Sequence, residues 1–361
     1  DRVVMMIRNR IEFHVVDLAV VACGATPISI YNSSSVDQVA YLAAHCGAKV
    51  AVAGDSGFLD IFTAARPELP ELAELVVIDA ADDTPADVHR YADLLQHAPV
   101  SLDDAASLVT PDDLATVIYT SGTTGRAKGA VSTHRAVLSA LLAYGARAAI
   151  ERMRVVGGAE DHGGRNGDAP SSDVDAASGI SRPVFILIVP LFHVTGSVPV
   201  MLSCLSSGLK LVIMHHWDAE RALELIEAER VTNFVGVPTQ SHDLVSSPRF
   251  AEFDTSSLVS VGGGGAPTPA KLVAKVDESF TKARPNIGYG MTETSPVSCQ
   301  TRIDDDLDRR TTTVGRVHPH LQIKIIDPVS GATVKRGRPG EFCTRGYSVM
   351  LGYWDQPDKT A

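Results

Sequence analysis

The fold of this chain is decided by the stretch Tyr119-Thr120-Ser121-Gly122-Thr123-Thr124-Gly125-Arg126-Ala127-Lys128-Gly129. A β-branched apolar run over residues 115–119 leads into it and predicts a buried strand. After residues 130–133, apolar residues at helical spacing predict a helix over 134–151. The predicted order is therefore strand, glycine- and hydroxyl-rich loop, helix.

The composition of this loop is typical of an anion-binding turn, because glycines let backbone N–H groups approach an anion closely. Lys128 adds a mobile positive charge of the kind that holds phosphate. Hydroxyl donors come from Thr120, Ser121, Thr123 and Thr124. A solvated turn without a ligand is the plainer alternative. The loop is not the motif G-x-x-x-x-G-K-[ST], because Gly122 and Gly125 are too close together and Lys128 precedes a glycine.

Composition narrows the class of partner. The chain has 361 residues, with 32 Lys and Arg against 43 Asp and Glu, which gives a net charge of -11. No basic patch dominates, so nucleic acid is not an expected partner. No integral membrane segment is expected, because no apolar run has the length of a span, whereas peripheral membrane contact stays open. The 5 cysteines are scattered and never form C-x-x-C, which favours a reducing, cytoplasmic location.

Strand and helix patterns alternate along most of the chain, which predicts an α/β fold of two packed lobes with mostly parallel sheets. The first lobe spans 1–151 and includes a helix expected near 86–97. A Gly-, Ser- and Asp-rich segment without periodicity predicts a flexible surface insertion over 152–183. The second α/β lobe spans 184–311, and 312–361 is predicted to form a small, partial antiparallel β lobe.

Three further segments have the composition of ligand-binding turns, and each also has a purely structural interpretation. The first segment is Gly288-Tyr289-Gly290-Met291-Thr292-Glu293-Thr294, which could be a turn at a strand end with a surface Glu. The second is Gly262-Gly263-Gly264-Gly265-Ala266-Pro267, which could be a tight glycine turn. The third is Pro190-Leu191-Phe192-His193-Val194-Thr195-Gly196, in which the histidine could be structural.

Together these motifs resemble the adenylate-forming superfamily, which comprises acyl-CoA synthetases, the adenylation domains of nonribosomal peptide synthetases and firefly luciferase. The loop resembles the family's T-S-G-T-T-G-x-P-K-G signature, with Ala127 in place of the proline. The segment from Gly288 resembles its G-Y-G-M-T-E motif. The segment ending Gly352-Tyr353-Trp354 resembles its G-Y-W motif, to which we assign no catalytic step. The resemblance is strongest to fatty-acid CoA ligases and covers part of their large N-terminal domain.

The resemblance implies an enzyme that uses ATP, Mg²⁺ and CoA. The loop and Lys128 would hold the β- and γ-phosphates, Thr292 the α-phosphate and Glu293 the Mg²⁺, which needs only one or two protein carboxylates beside nucleotide phosphates. Tyr289 would offer a flat face to adenine. The implied catalytic residues are Thr292, Glu293, Lys128 and His193. The implied nucleotide-binding residues are Thr120, Ser121, Gly122, Thr123, Thr124, Gly125, Lys128, Gly265, Ala266, Pro267, Gly288, Tyr289, Gly290, Met291 and Thr292.

The acyl substrate is implied to meet His193 and the glycines Gly262, Gly263 and Gly264. Because these glycines leave space for a slim chain, a medium- or long-chain fatty acid is favoured, and an aryl acid stays open. An α-amino acid is disfavoured, because amino-acid-activating relatives place an Asp beside the ammonium group where this chain has Phe192 and His193.

The last motif residues lie close to Ala361. The resemblance implies that a ribose-binding Asp and a catalytic Lys on a mobile C-terminal lid domain follow further along in relatives, and neither is in this sequence. The isolated chain is therefore expected to be poorly active. The alternative from another class is a truncated, catalytically incompetent fragment that binds nucleotide or acyl groups.

Overall fold

The structure is a computed structural model that describes residues 1–120, 126–160, 182–302 and 304–360. It divides into two compact units. The first comprises Asp1–Leu138, Pro190–Ser197 and Ser348–Ala361, and the second comprises Ser139–Val189 and Val198–Tyr347. In the parts of the chain that the structure describes, no helix combines the length and apolarity needed to cross a membrane.

The described secondary structure alternates strands and helices in both units. The strands are β1 Arg2–Met6, β2 Thr26–Ser29, β3 Val50–Ala53, β4 Glu74–Val77, β5 Val88–Arg90, β6 Leu114–Thr120, β7 Lys128–Thr133, β8 Val184–Leu187, β9 Lys210–Ile213, β10 Asn233–Gly236, β11 Ser260–Gly263, β12 Arg284–Tyr289, β13 Cys299–Gln300, β14 Arg316–Val317, β15 Gln322–Ile326, β16 Glu341–Arg345 and β17 Gly352–Tyr353. The α-helices are α1 Ile11–Ala22, α2 Val36–Cys46, α3 Ser56–Ala65, α4 Tyr91–Leu94, α5 Leu102–Ala106, α6 His134–Glu160, α7 Ser203–Ser207, α8 Ala219–Glu229, α9 Pro238–Ser246, α10 Ala270–Ser279, α11 Leu307–Thr312 and α12 Pro357–Thr360.

The first unit is built on a parallel sheet in the order β2-β1-β3-β4-β5. Its inner strand β1 is buried on both faces, as Val4 and Met5 are fully inaccessible to solvent, which is typical of a parallel sheet covered by helices. Helix α2 shows how local sequence sets the boundaries. Ser35 and Gln38 form a capping box at its start, and Gly47 ends it in the left-handed conformation at φ 61°.

A second, antiparallel sheet of the first unit has the order β17-β7-β6. The predicted order of strand, loop and helix is therefore wrong, because strand β7 intervenes before helix α6. Residues 130–133 are almost fully buried, and β7 bonds to β6 on one side and to β17 on the other. The loop is thus the connection of a β-hairpin.

The second unit is built on a seven-stranded sheet in the order β14-β13-β12-β11-β10-β8-β9. Strands β8 to β12 run parallel, while β13 and β14 are antiparallel additions at one edge. Its core includes Ile186, Phe234 and Leu258, which are all inaccessible to solvent. Strands β15 and β16 pair antiparallel, as predicted for this stretch. The prediction of an α/β fold with mostly parallel sheets and a small antiparallel sheet is confirmed.

Two predicted helices differ from the observed elements. Instead of one helix near 86–97, the chain forms β5 and then α4, because Val88 is buried and pairs with Leu75 of β4. The helix predicted over 134–151 continues to Glu160. Most of the predicted insertion, residues 161–181, lies outside the described residues.

Candidate functional site

The phosphate-loop hairpin belongs to the first unit. Thr120 is the last residue of β6 and Lys128 is the first of β7, and the two residues are cross-strand partners. The Thr120 hydroxyl donates a long hydrogen bond of 3.5 Å to the Lys128 carbonyl. The five other predicted loop residues, Ser121, Gly122, Thr123, Thr124 and Gly125, lie outside the described residues, so their roles stay predictions. The structure therefore fixes both ends of the loop.

Aromatic side chains surround the loop ends, and we call this group the aromatic collar. The Tyr41 hydroxyl donates to the Ala127 carbonyl at 3.1 Å, and the Arg126 guanidinium lies 4.9 Å above the same tyrosine ring. The Lys128 Nζ lies 4.1 Å from the centroid of the Tyr353 ring. The members of the collar are Tyr41, His45, Tyr119, Tyr353 and Trp354. The backbone at Ala127 is thus held from outside at the position where related loops have proline.

Within the collar, Tyr119 is buried and the other four members are half-buried. The Tyr119 ring is 1% exposed, and its oxygen lies 2.7 Å from Nδ1 of His45. Burial raises the pKa of Tyr119 and lowers the pKa of His45. The phenol therefore stays protonated and donates to a neutral imidazole. A tyrosine anion and an imidazolium are both absent from this pair at neutral pH.

The Gly-Tyr-Trp segment lies directly against β7, although sequence reasoning gave it no catalytic step. The Trp354 N–H donates to the Gly129 carbonyl at 2.7 Å, and the indole Nε1–H donates to the His45 carbonyl at 3.0 Å. A Cβ on Gly129 would come within 2.7 Å of Val117 Cγ1 and 3.2 Å of Tyr119 Cζ. Glycine is required here because strand and collar approach so closely.

The segment carrying His193 also belongs to the first unit. Its backbone is anchored by the buried Asn9, whose Oδ1 accepts from the Leu191 N–H at 3.1 Å, and by Tyr31, whose ring lies 4.5 Å from that of Phe192. His193 Nδ1 accepts from the Thr195 N–H at 3.2 Å. Burial lowers the pKa of His193. The imidazole is therefore neutral at pH 7 and carries its proton on Nε2, which makes it a hydrogen-bond donor.

In the second unit, the structure brings the two glycine-containing motifs together. Strands β11 and β12 are parallel neighbours in which Gly263 is paired with Ile287, so both motifs leave the sheet at its carboxyl edge. A Cβ on Gly264 would lie 3.3 Å from the Gly288 carbonyl oxygen. The exposed run Gly265-Ala266-Pro267 follows, with Gly265 left-handed at φ 78°. Two predicted nucleotide-binding segments are thus adjacent.

These glycines have a structural use besides leaving space for an acyl group. A Cβ on Gly262 would lie 3.3 Å from the Phe234 carbonyl oxygen of the neighbouring strand. At Gly263, by contrast, a Cβ would make ordinary contacts of 3.5 Å with Ile287 Cδ1 and Thr268 Oγ1, so packing does not require this glycine. Part of the glycine run is therefore explained by close strand packing, and the volume argument for a slim acyl tunnel loses weight.

The segment from Gly288 begins with the last two residues of β12 and then enters a tight turn. The Tyr289 ring packs edge to face on Phe342, with centroids 5.0 Å apart, and Phe342 carried no signal in the sequence. Gly290 has no space for a side chain, because a Cβ would overlap the Pro296 carbonyl. Met291 is 40% exposed, and its N–H donates to Thr294 Oγ1 at 3.0 Å.

Thr292 and Glu293 project from the 3-10 turn Thr292–Thr294, and both are half-buried. The buried Thr294 closes this turn, and Ser295 follows at φ 61°. Within the described ranges, no three His, Cys, Asp or Glu side chains cluster as metal ligands. A single carboxylate such as Glu293 fits Mg²⁺, which arrives with nucleotide phosphates and keeps several waters.

The sequence of this chain is similar to those of known proteins. The sequence profile of the AMP-binding enzyme family matches residues 1–354. The chain is 29% identical over 367 residues to 4-coumarate-CoA ligase 1 of Narcissus pseudonarcissus, covering 99% of this chain and 60% of that protein. It is 29% identical over 307 residues to the human mitochondrial medium-chain acyl-CoA ligase ACSF2, covering 81% and 44%. The chain thus spans about half the length of these relatives.

The fold is similar to a solved structure, the inhibitor-bound N-terminal domain of FACL13 from Mycobacterium tuberculosis. The match has a TM-score of 0.80 at 24% identity and covers 100% of this chain and 79% of that one. At this identity the likeness concerns the fold alone. It agrees with the α/β architecture of both units.

Proposed function

This chain belongs to the AMP-binding enzyme family, and from that premise we propose that it serves the ATP-dependent activation of a carboxylic acid. The proposed product is an acyl-adenylate, which then becomes an acyl-CoA. The observation that carries the proposal is the adjacency of the Gly262–Pro267 and Gly288–Glu293 segments at the carboxyl edge of β11 and β12. Ligands of open parallel α/β sheets bind at this edge.

In the proposed first step, a carboxylate oxygen of the acid attacks the α-phosphorus of ATP, and the bond to the β-phosphate oxygen breaks. The substrate supplies the nucleophile, so the protein positions the reactants and neutralises charge. Lys128 and the loop would hold the β- and γ-phosphates, and Thr292 would donate to an α-phosphate oxygen. Glu293 would hold Mg²⁺, which supplies positive charge on the phosphates when bound. Tyr289 would support the adenine.

His193 would contribute through its Nε2–H. Since this imidazole is neutral and its Nδ1 already accepts from Thr195, it can donate a hydrogen bond to the acid without transferring a proton. A neutral donor orients the carboxylate and leaves its oxygen nucleophilic. In the proposed second step, the sulfur of CoA attacks the acyl carbon and AMP leaves.

For the acid, we propose a medium- or long-chain fatty acid. One relative is named as a medium-chain acyl-CoA ligase, which supports this choice, and another is named as a 4-coumarate-CoA ligase. An aryl acid is therefore the competing substrate. The lack of an acid beside His193, within the segment Pro190–Gly196, supports exclusion of α-amino acids.

The proposal is tested by titrating the purified chain with MgATP in a calorimeter and then measuring pyrophosphate release with octanoate, palmitate or 4-coumarate. We expect the chain to bind ATP and to release pyrophosphate slowly. This release should be faster with octanoate or palmitate than with 4-coumarate. Lys128→Ala should weaken ATP binding about tenfold or more, because it removes a charge-assisted contact to phosphate. Pyrophosphate release with 4-coumarate but with neither fatty acid would show that the substrate is an aryl acid and not a fatty acid. ATP binding without release would support the incompetent-fragment alternative, and absence of ATP binding would overturn the proposal.

A further inference from the structure

We propose that Tyr353 is a positioning residue for the phosphate-binding Lys128, which gives the Gly-Tyr-Trp segment a part in nucleotide binding. This inference rests on the proposed function of the loop. The carrying observation is the Lys128 Nζ at 4.1 Å from the centroid of the Tyr353 ring. Both residues belong to the first unit and both are half-buried.

Strand pairing puts the two side chains on the same face of the sheet. Tyr353 of β17 is paired with Ala130 of β7, and Gly352 is paired with Val131. Because side chains alternate along a strand, Lys128 and Ala130 point to the same side. Lys128 is therefore the diagonal cross-strand neighbour of Tyr353, at a separation that long side chains and aromatic rings bridge.

The Tyr353 backbone is held on both sides, which fixes the point from which its ring projects. Leu351 donates to the Val131 carbonyl at 2.8 Å, and Trp354 donates to the Gly129 carbonyl at 2.7 Å. The Tyr353 N–H itself donates to Thr360 Oγ1 at 2.9 Å. Gly129 lies between Lys128 and Ala130 with no space for a side chain. The strand that carries the ring is thus anchored independently of the Lys128 side chain.

A ring on an anchored strand can reduce the entropic cost that a lysine side chain brings to phosphate binding. Its four-carbon stem has much rotamer freedom, which is lost when the ammonium binds an anion. A ring face attracts the ammonium without engaging all of its N–H groups, as a set of ordinary hydrogen-bond acceptors would. The N–H groups turned away from the ring remain directed to phosphate oxygens. Tyr353 therefore orders the lysine in advance and lowers the entropic cost of binding.

The same contact permits an opposite prediction, in which the ring sequesters Lys128 and competes with phosphate. The two cases differ in sign. If the ring positions the lysine, its removal weakens ATP binding. If the ring competes, its removal tightens ATP binding.

The test compares Tyr353→Leu and Tyr353→Phe in the full chain, with Tyr347→Leu as the matched control at a tyrosine that is 71% exposed. Calorimetry measures the dissociation constants of MgATP and of AMP. We expect Tyr353→Leu to weaken ATP binding about threefold to tenfold and to leave AMP binding unchanged, because AMP lacks the β- and γ-phosphates. Tyr353→Phe keeps the ring face and should remain within about twofold of wild type. In a Lys128→Ala background, Tyr353→Leu should have no further effect on ATP binding.

Equal or tighter ATP binding by Tyr353→Leu overturns the inference, as does an equal loss for ATP and AMP, which would mark a general structural role. A second measurement needs no nucleotide. The rate at which an amine-reactive reagent labels Lys128, read by mass spectrometry, should rise about threefold in Tyr353→Leu, because the ring no longer covers one side of the amine. Equal labelling rates overturn the inference on their own, whereas a wild-type chain that fails to bind ATP overturns the proposed function.

Discussion

The two candidate ligand-binding regions position their residues by different physical means. In the first unit, the loop ends are held by the aromatic collar, through contacts such as Tyr41 to Ala127 and Tyr353 to Lys128. In the second unit, the carboxyl edge is shaped by backbone segments so close that Gly290 has no space for a Cβ. Side-chain contacts can be exchanged for similar ones, but a backbone overlap cannot. We therefore expect the second region to tolerate less change.

The substitution Gly290→Ala has the largest expected effect and is the strictest test of the claim that the second region tolerates less change. The added Cβ would overlap the backbone carbonyl of Pro296, so the turn has to move. We expect a loss of about 3 kcal/mol or more in the free energy of unfolding, measured by urea denaturation. The control is Gly145→Ala on the exposed part of α6, where nothing lies within 4 Å. It should gain about 0.5 to 1 kcal/mol from helix propensity. Equal effects at the two glycines would remove the steric argument.

Acid should destabilise the second unit, because it contains the buried His318, whose ring packs edge to face on Tyr144. Burial and the nearby Arg147 lower the pKa of His318 to about 4. Between pH 6.5 and pH 4, the His318 imidazole binds a proton in the unfolded chain but not in the folded chain. Its contribution to the free energy of unfolding is therefore fully present above pH 6.5 and is lost as the pH drops toward 4. The contribution is about 3 kcal/mol over this window.

Urea denaturation between pH 7 and pH 4.5 measures this effect. His318→Phe keeps an aromatic ring beside Tyr144 and should flatten the pH dependence. The same substitution at the exposed His242 should leave it unchanged. If His318→Phe keeps the full slope, another group dominates the acid response of this unit.

The smallest expected effect belongs to the collar. Tyr41→Phe removes the hydroxyl that donates to the Ala127 carbonyl and keeps the ring under Arg126. We expect a loss of about 1 kcal/mol in the free energy of unfolding. Tyr347→Phe, at an exposed tyrosine, is the matched control and should be neutral. A Tyr41→Phe loss as large as that of Gly290→Ala would end the distinction between the two regions.

The sequence predicts the second region better than the first, because the strands that form the second region are closer together along the chain. Strands β11 and β12 are neighbours both in the sequence and in the sheet, so the two motifs at their carboxyl ends lie at one edge. The family resemblance agrees with this placement. The site residues themselves stay predictions, including the five loop residues from Ser121 to Gly125.

The arrangement of the first region could not be predicted from local patterns. Lys128–Thr133 is a strand because β6 and β17 supply hydrogen bonds on both its sides, and β17 is distant in sequence. The roles of Tyr353 and Phe342 also depend on contacts that no periodicity reveals. Close backbone approach at Gly290 was signalled only by a glycine, which has many other uses.

The distance along the chain between the two halves of the collar has a consequence for biosynthesis. The hydrogen bond from Trp354 to His45 joins residues 309 positions apart. At typical translation rates of about 5 to 20 residues per second, β17 emerges from the ribosome roughly ten to fifty seconds after β7. During this interval one edge of β7 has no partner strand and is open to wrong pairing. The phosphate-loop hairpin is therefore among the last parts of the first unit to mature, and a chaperone that shields strand edges should raise the yield of folded chain.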